Sequence, residues 1–145
     1  MGKLRFKGSV WINLDIALRN LNYYYDHETK KLGLKVIEWY MLRSLYVENE
    51  QTVAQLGGNV GLPSTAFTPF LDKLVEKGFI ERVKNPKHRG SALLKLTDKA
   101  YDFQEEVTAI ATRIENELRT PFSDKDWQGY LSALITFQTI GQEKP

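Results

Sequence analysis

The chain has 145 residues, a formal charge of +2, 42% hydrophobic residues and no cysteine. That length buries a sizeable core without metal or disulfide staples, and the missing thiols exclude disulfides, cysteine-ligated zinc, thiolate catalysis and a cysteine oxidation sensor. No apolar run of about 18 residues is present to span a bilayer and no signal-peptide core opens the chain, so a cytoplasmic protein without a membrane partner is expected.

The apolar residues Val10, Leu14, Ala17, Leu18, Leu21, Tyr24 and Tyr25 recur at three- and four-residue steps and predict a first helix over 10–25. Residues 34–47 are apolar on more than one side, which predicts a second, central helix. The polar break Glu48-Asn49-Glu50-Gln51 ends it, and Thr52 is placed to cap a short third helix. Gly57-Gly58 weakens that helix by about 1 kcal/mol per glycine, so packing must supply its stability. Gly61 marks a turn, and Leu62-Pro63-Ser64 restarts a helix with proline in the first turn. Phe67, Phe70, Leu71, Leu74 and Val75 form its buried stripe, and Gly78 is placed as a left-handed cap.

Residues 79–84 and 91–96 read as two strands joined by Asn85-Pro86-Lys87-His88-Arg89-Gly90, a turn with a cationic tip. Thr97 then caps one long helix whose stripe, Ala100, Phe103, Val107, Ile110, Ile114 and Leu118, resembles an association seam. Pro121 breaks it, and Ser123-Asp124-Lys125-Asp126 supplies a capping box for a last helix carrying Trp127, Tyr130, Leu131, Leu134 and Phe137. The fold class expected is mainly α: a winged helix-turn-helix with a two-stranded β wing, flanked by N- and C-terminal helices.

Charge is uneven along this order. Residues 63–99 hold eight Lys/Arg against four Asp/Glu and leave the remainder at about −2, the footprint of a surface that meets phosphates. A helix-turn-helix followed by a basic hairpin reaches double-stranded DNA with one helix in the major groove and the hairpin along the backbone or minor groove. Ser64, Thr65 and Thr68 offer hydroxyls to base edges or phosphates near the helix N-terminus, and Lys73 suits the backbone. Lys84, Lys87, His88 and Arg89 line the wing, with Arg89 the side chain best fitted to a narrow minor groove. The duller alternative makes the hydroxyls caps and the wing cations ordinary solvated charges.

Asp26-His27-Glu28 points in three directions on a helix, so no metal site is expected there. Nucleophile elbow, phosphate loop, His-Glu metal motif and dinucleotide fingerprint are all missing, so neither an enzyme nor a cofactor is expected.

The stretch from Leu34 to about Glu105 resembles the multiple antibiotic resistance regulator (MarR) family. Thr52-Val53-Ala54-Gln55-Leu56 with Gly61-Leu62 is similar to that family's third helix and turn. Leu71-Asp72-Lys73-Leu74-Val75-Glu76-Lys77-Gly78-Phe79-Ile80-Glu81-Arg82 is similar to its recognition-helix end and first strand. Asn85-Pro86-Lys87-His88-Arg89 and Leu94-Lys95-Leu96-Thr97 match its wing and the start of its fifth helix. The resemblance implies a single unit over 1–145, with 34–99 as the DNA-binding part and 8–30 with 100–141 pairing two subunits. It also implies a repressor that binds a pseudo-palindromic operator as a homodimer. Tyr24, Trp39 and Tyr40, on helices that border the family's effector cleft, are the candidates for a small aromatic effector, against the alternative of ordinary packing.

The sequence departs from the family's pattern at two places. The wing has His88 where the family commonly has Asp and Gly90 where a second Arg is frequent, and Pro69 stands where the recognition helix often has Arg. A helix-interior proline removes a backbone donor and bends or breaks the helix, at a cost of about 3 kcal/mol. The competing expectation is therefore a dimeric interaction or ligand-binding module whose sequence-specific DNA binding is weak or lost.

Overall fold

The computed structural model describes residues 2–140 and 142; the expected extents to 1, 141 and 145 reach outside the described residues. Among the described residues a single 3-10 turn, Phe6–Gly8, precedes seven α-helices and three strands in the order α1 Val10–Lys30, α2 Val36–Val47, β1 Gln51–Thr52, α3 Val53–Val60, α4 Ser64–Glu76, β2 Ile80–Lys84, β3 Ala92–Leu96, α5 Asp98–Asp102, α6 Gln104–Arg119 and α7 Asp124–Ile140. By internal packing the chain divides into two units, Met1–Ile110 and Ala111–Pro145. Among the described residues no helix is long and apolar enough to cross a membrane.

Local signals set most boundaries. Thr52 Oγ1 accepts from the Gln55 N–H at 3.1 Å while Gln55 Oε1 accepts from the Thr52 N–H at 2.8 Å, so α3 opens on a reciprocal capping box. Gly61 ends α3 at φ 71°, the left-handed conformation that glycine adopts without a Cβ penalty. Pro63 sits one position earlier than expected, as the cap residue, and α4 begins at Ser64. Gly78 follows α4 at φ 78°, with the Phe79 N–H donating to the Leu74 carbonyl.

The core of the first unit surrounds α2, which packs against α1, α3, α4 and β3. Trp39, Met41, Leu42 and Leu45 are buried there beside Leu56, Phe67, Leu71, Leu74, Ile80 and Leu94, as the two-sided apolar pattern implies. A buried ion pair closes one side. Glu38, 1% exposed, accepts from Lys77 Nζ at 2.7 Å and from the Lys35 N–H at 3.1 Å, and Lys77 also donates to the Gly33 carbonyl. The carboxylate that caps α2 thus also holds the end of α4, and this satisfies a charge that burial alone makes very costly.

Four expectations are corrected. The first helix continues to Lys30 because Thr29 is buried and Lys30 pairs with Asp26 one turn back at 2.8 Å. The sheet has three strands, in the order β1-β3-β2, because Gln51 and Thr52 pair antiparallel with Leu94 and Leu93; β2 and β3 pair from Ile80↔Leu96 to Lys84↔Ala92. The long fifth helix is interrupted at Phe103, whose ring lies 5.4 Å from that of Phe79, and Ala100, Val107 and Ile110 are buried within this chain rather than free as a seam. Finally, α4 runs unbroken through Pro69. The proline ring is exposed, so only the N–H that would serve the Thr65 carbonyl is lost.

In the second unit the chain leaves α6 after Arg119 and turns through Pro121. Arg119 pairs with Asp124 and donates to the Phe122 carbonyl, and Ser123 Oγ accepts from the Asp126 N–H at 3.2 Å to start α7. Phe122, Trp127 and Tyr130 form one aromatic cluster, with ring centroids 5.2 to 6.1 Å apart.

Candidate nucleic-acid interface

Helix α4 is amphipathic. Phe67, Leu71 and Leu74 are buried, and Ser64, Thr65, Ala66, Thr68, Pro69, Asp72 and Lys73 are exposed. The close seat of α4 on α3 depends on Gly57. A Cβ there would lie 2.8 Å from the Leu62 carbonyl oxygen and 2.9 Å from the Phe67 ring, and the Leu62 N–H donates to the Gly57 carbonyl at 2.9 Å. The glycine that weakens α3 locally is thus what lets the two helices meet.

The predicted site residues on this helix share one exposed side but differ in availability. Ser64 and Thr65 sit in the first turn, where unpaired backbone N–H groups and the helix dipole favour an anion. The Thr68 hydroxyl is turned inward along the helix and donates to the Ser64 carbonyl at 2.6 Å. Lys73 is hydrogen-bonded to Glu76 at 2.9 Å, and that bond and the glutamate's charge raise its pKa. Asp72 is paired with Arg82 of β2 at 2.7 Å, which ties α4 to the strand that leads into the wing. Residue order alone does not disclose this brace, since the two side chains meet only when β2 folds back beside α4.

The wing is closed by side chains at its base. Asn85 Oδ1 accepts from the Lys87 N–H at 2.9 Å, Asn85 Nδ2 donates to Ser91 Oγ at 3.0 Å, and Ser91 Oγ donates to the His88 carbonyl at 3.3 Å. Gly90, at φ 90°, completes the reversal. This framework leaves Lys84, Lys87, His88 and Arg89 exposed. Lys87 and Arg89 have no carboxylate partner among the described residues, in contrast to Lys73 and Arg82. A cleft of about 420 Å³ opens at the wing base between Lys87 and His88 on one side and Glu48, Glu50 and Gln55 on the other. Sequence reasoning missed it, because it exists only once β1 pairs with β3.

The three candidate effector residues separate in the structure. Trp39 is 5% exposed, donates its indole N–H to the Val107 carbonyl at 2.9 Å, and packs against Tyr25 and Tyr40 at 5.3 and 5.7 Å. Tyr40 is 40% exposed, and the burial of the rest raises its pKa. Tyr24 is half-buried on α1. Around Asp26-His27-Glu28 both carboxylates are engaged by lysines, Asp26 by Lys30 and Glu28 by Lys31, each at 2.8 Å. Among the described residues no group of three or more His, Cys, Asp or Glu side chains is placed to hold a metal ion.

Residues 34–89 match the MarR family. The chain is 29% identical over 94 residues to the uncharacterized HTH-type transcriptional regulator YkoM of Bacillus subtilis (strain 168), a match that covers 65% of this chain and 61% of that protein. It is 29% identical over 93 residues to the HTH-type transcriptional regulator SarZ of Staphylococcus saprophyticus, covering 64% of each. The match thus spans less than two thirds of the length of either relative. In fold, the chain is similar to the transcriptional repressor CouR, solved bound to a 23-mer DNA duplex, with a TM-score of 0.81 at 22% identity over 94% of this chain and 98% of that one. With its helix-turn-helix and three-stranded winged sheet the chain has a winged-helix fold, and within it residues 34–89 match the MarR family.

Proposed function

We propose that the chain is a DNA-binding transcriptional regulator that binds a pseudo-palindromic operator as a homodimer and represses by occupying it. The observation that carries this reading is the pairing of an exposed hydroxyl-bearing helix start, Ser64 to Thr68, with a cationic wing tip braced to the same helix through Asp72 and Arg82. The first offers groups to base edges and phosphates in a major groove; the second offers Lys87, His88 and Arg89 to the adjacent backbone or minor groove. The DNA duplex seen with CouR supports the assignment by likeness of fold.

In this reading residues 34–99 bind DNA, and residues 8–30 with 100–141 pair the subunits, residue 141 lying outside the described residues. Exposed apolar side chains support the pairing. Within the first unit Val10, Trp11, Leu18 and Tyr23 of α1 are exposed, and within the second Ile135, Phe137 and Ile140 of α7 are, more than a water-facing surface favours. An aromatic effector would meet Tyr40 first, since Trp39 is closed in the core with its N–H committed.

The test is selection of bound duplexes from a random library at about 150 mM salt, a physiological ionic strength, with the protein's mass in solution recorded. A dimer that recovers an inverted repeat with half-sites about 10 base pairs apart is the expected result. A dimer that enriches no sequence overturns the operator reading, and a monomer overturns the homodimer.

A further inference from the structure

The exposed face of the recognition helix is built without a purine reader. Residues 64–72 contain no Arg, Lys, Asn or Gln, the side chains that make paired hydrogen bonds to guanine or adenine edges in the major groove. The charged groups at the end of this face are already engaged. Asp72, whose carboxylate could accept from a cytosine amine, is held by Arg82 at 2.7 Å, and Lys73 is held by Glu76 at 2.9 Å. Thr68 commits its hydroxyl proton to the Ser64 carbonyl, and Ala66 and Pro69 have no polar side-chain atom. The Ser64 and Thr65 hydroxyls remain, and a hydroxyl bonds to donors and acceptors alike, so it discriminates bases weakly.

What stays distinctive is a small apolar patch. Ala66 and Pro69 stand three residues apart, as do Thr65 and Thr68, so the four occupy neighbouring positions on the exposed side of the helix. The one apolar group that base pairs display in the major groove is the C5 methyl of thymine, and alanine and threonine methyls are among its known matches. Proline adds a rigid ring with no donor to satisfy.

We propose that α4 selects its half-site by contacting thymine methyls with Ala66, Pro69 and the neighbouring threonines, rather than by hydrogen bonds to guanine. This inference rests on the operator-binding reading above.

The test replaces each thymine of a selected duplex in turn by deoxyuridine, which removes only the methyl, and measures affinity by fluorescence anisotropy at fixed salt. A loss of about fourfold is expected at one or two thymines per half-site, the value of one buried methyl-sized group at about 0.8 kcal/mol. At those positions a 5-methylcytosine·guanine pair should bind more tightly than cytosine·guanine. In Ala66→Gly or Pro69→Ala the ratio of thymine to uracil affinity should fall toward one at the contacted base. The uracil series on the natural protein needs no variant to fold. A selected sequence that tolerates uracil at every position overturns this inference and leaves operator binding standing; a selection that enriches nothing overturns both.

Discussion

At Gly57 and Gly58, adjacent residues of one type carry opposite consequences. Both cost helix propensity, but a Cβ at Gly57 meets the Leu62 carbonyl and the Phe67 ring, whereas one at Gly58 meets nothing within 4 Å. Gly58→Ala should therefore stabilise the protein by about 0.5–1 kcal/mol. Gly57→Ala should destabilise it by about 1–3 kcal/mol, the range for overpacking. Denaturant melts of the two variants check this, and stabilisation by both would show that α4 can shift away from α3 at little cost. Tyr46 offers a second test at this scale. Its hydroxyl donates to the Ala100 carbonyl, and burial, with the nearby Glu106 charge, pushes its pKa up to about 12, against about 10 unfolded. A raised pKa means that the native state favours the neutral phenol, so its contribution is complete below about pH 10 and fades as pH rises toward 12. Tyr46→Phe should accordingly be less stable at neutral pH by about 1 kcal/mol, with the gap in melting temperature closing over that alkaline window. A constant gap would refute the assignment.

At the scale of elements, the wing and α4 are each held by a small number of polar contacts. Asn85 alone bonds both the Lys87 N–H and Ser91 Oγ, so Asn85→Ala releases the turn that aims Lys87, His88 and Arg89. Its stability cost should be within about 1 kcal/mol, since the site is at the surface, while operator affinity should fall severalfold because the wing must then be ordered on binding. Calorimetry and anisotropy on the same variant separate the two, and unchanged affinity would mean that the wing orders itself without Asn85. Pro69 illustrates a different balance. As a residue it is a poor helix former, yet α4 is kept continuous by Phe67, Leu71 and Leu74 packed below it, because tertiary burial outweighs a single lost hydrogen bond.

For the whole molecule, the local excess of basic residues makes a prediction about salt. A dimer in which each recognition helix and wing neutralises several phosphates should lose affinity steeply as salt rises. Arg89→Ala should weaken binding to all sequences, and if each dimer presents two wings, the log–log salt slope should fall by about 2, roughly 1 for each lost contact. Titrations between about 50 and 200 mM salt measure this directly, and a slope identical to that of the unaltered protein would remove Arg89 from the interface.

By itself the sequence determined what depends on neighbours in the chain. Thr52, Gly61, Gly78, Thr97 and Ser123 set helix ends through contacts within a few residues, a two-sided apolar pattern marked α2 as central, and three- to four-residue periodicity marked the buried stripe of α4. The exposed candidates Ser64, Thr65 and Thr68 follow from that helical pattern, and Lys84, Lys87, His88 and Arg89 from the turn-rich, basic hairpin, though not which of them is already engaged. Only the tertiary structure decided the pairings between distant residues. β1 is two residues long, too short for any period, and forms because β3 offers it an edge. Glu38 and Lys77, 39 residues apart, and Asp72 and Arg82, ten apart across a turn, meet only after the helices pack. Phe103 interrupts a pattern that reads as continuous because its ring is drawn against Phe79. Caps and periodicity act through local hydrogen bonds and burial direction, whereas register, braces and the wing cleft depend on which surfaces come to face one another.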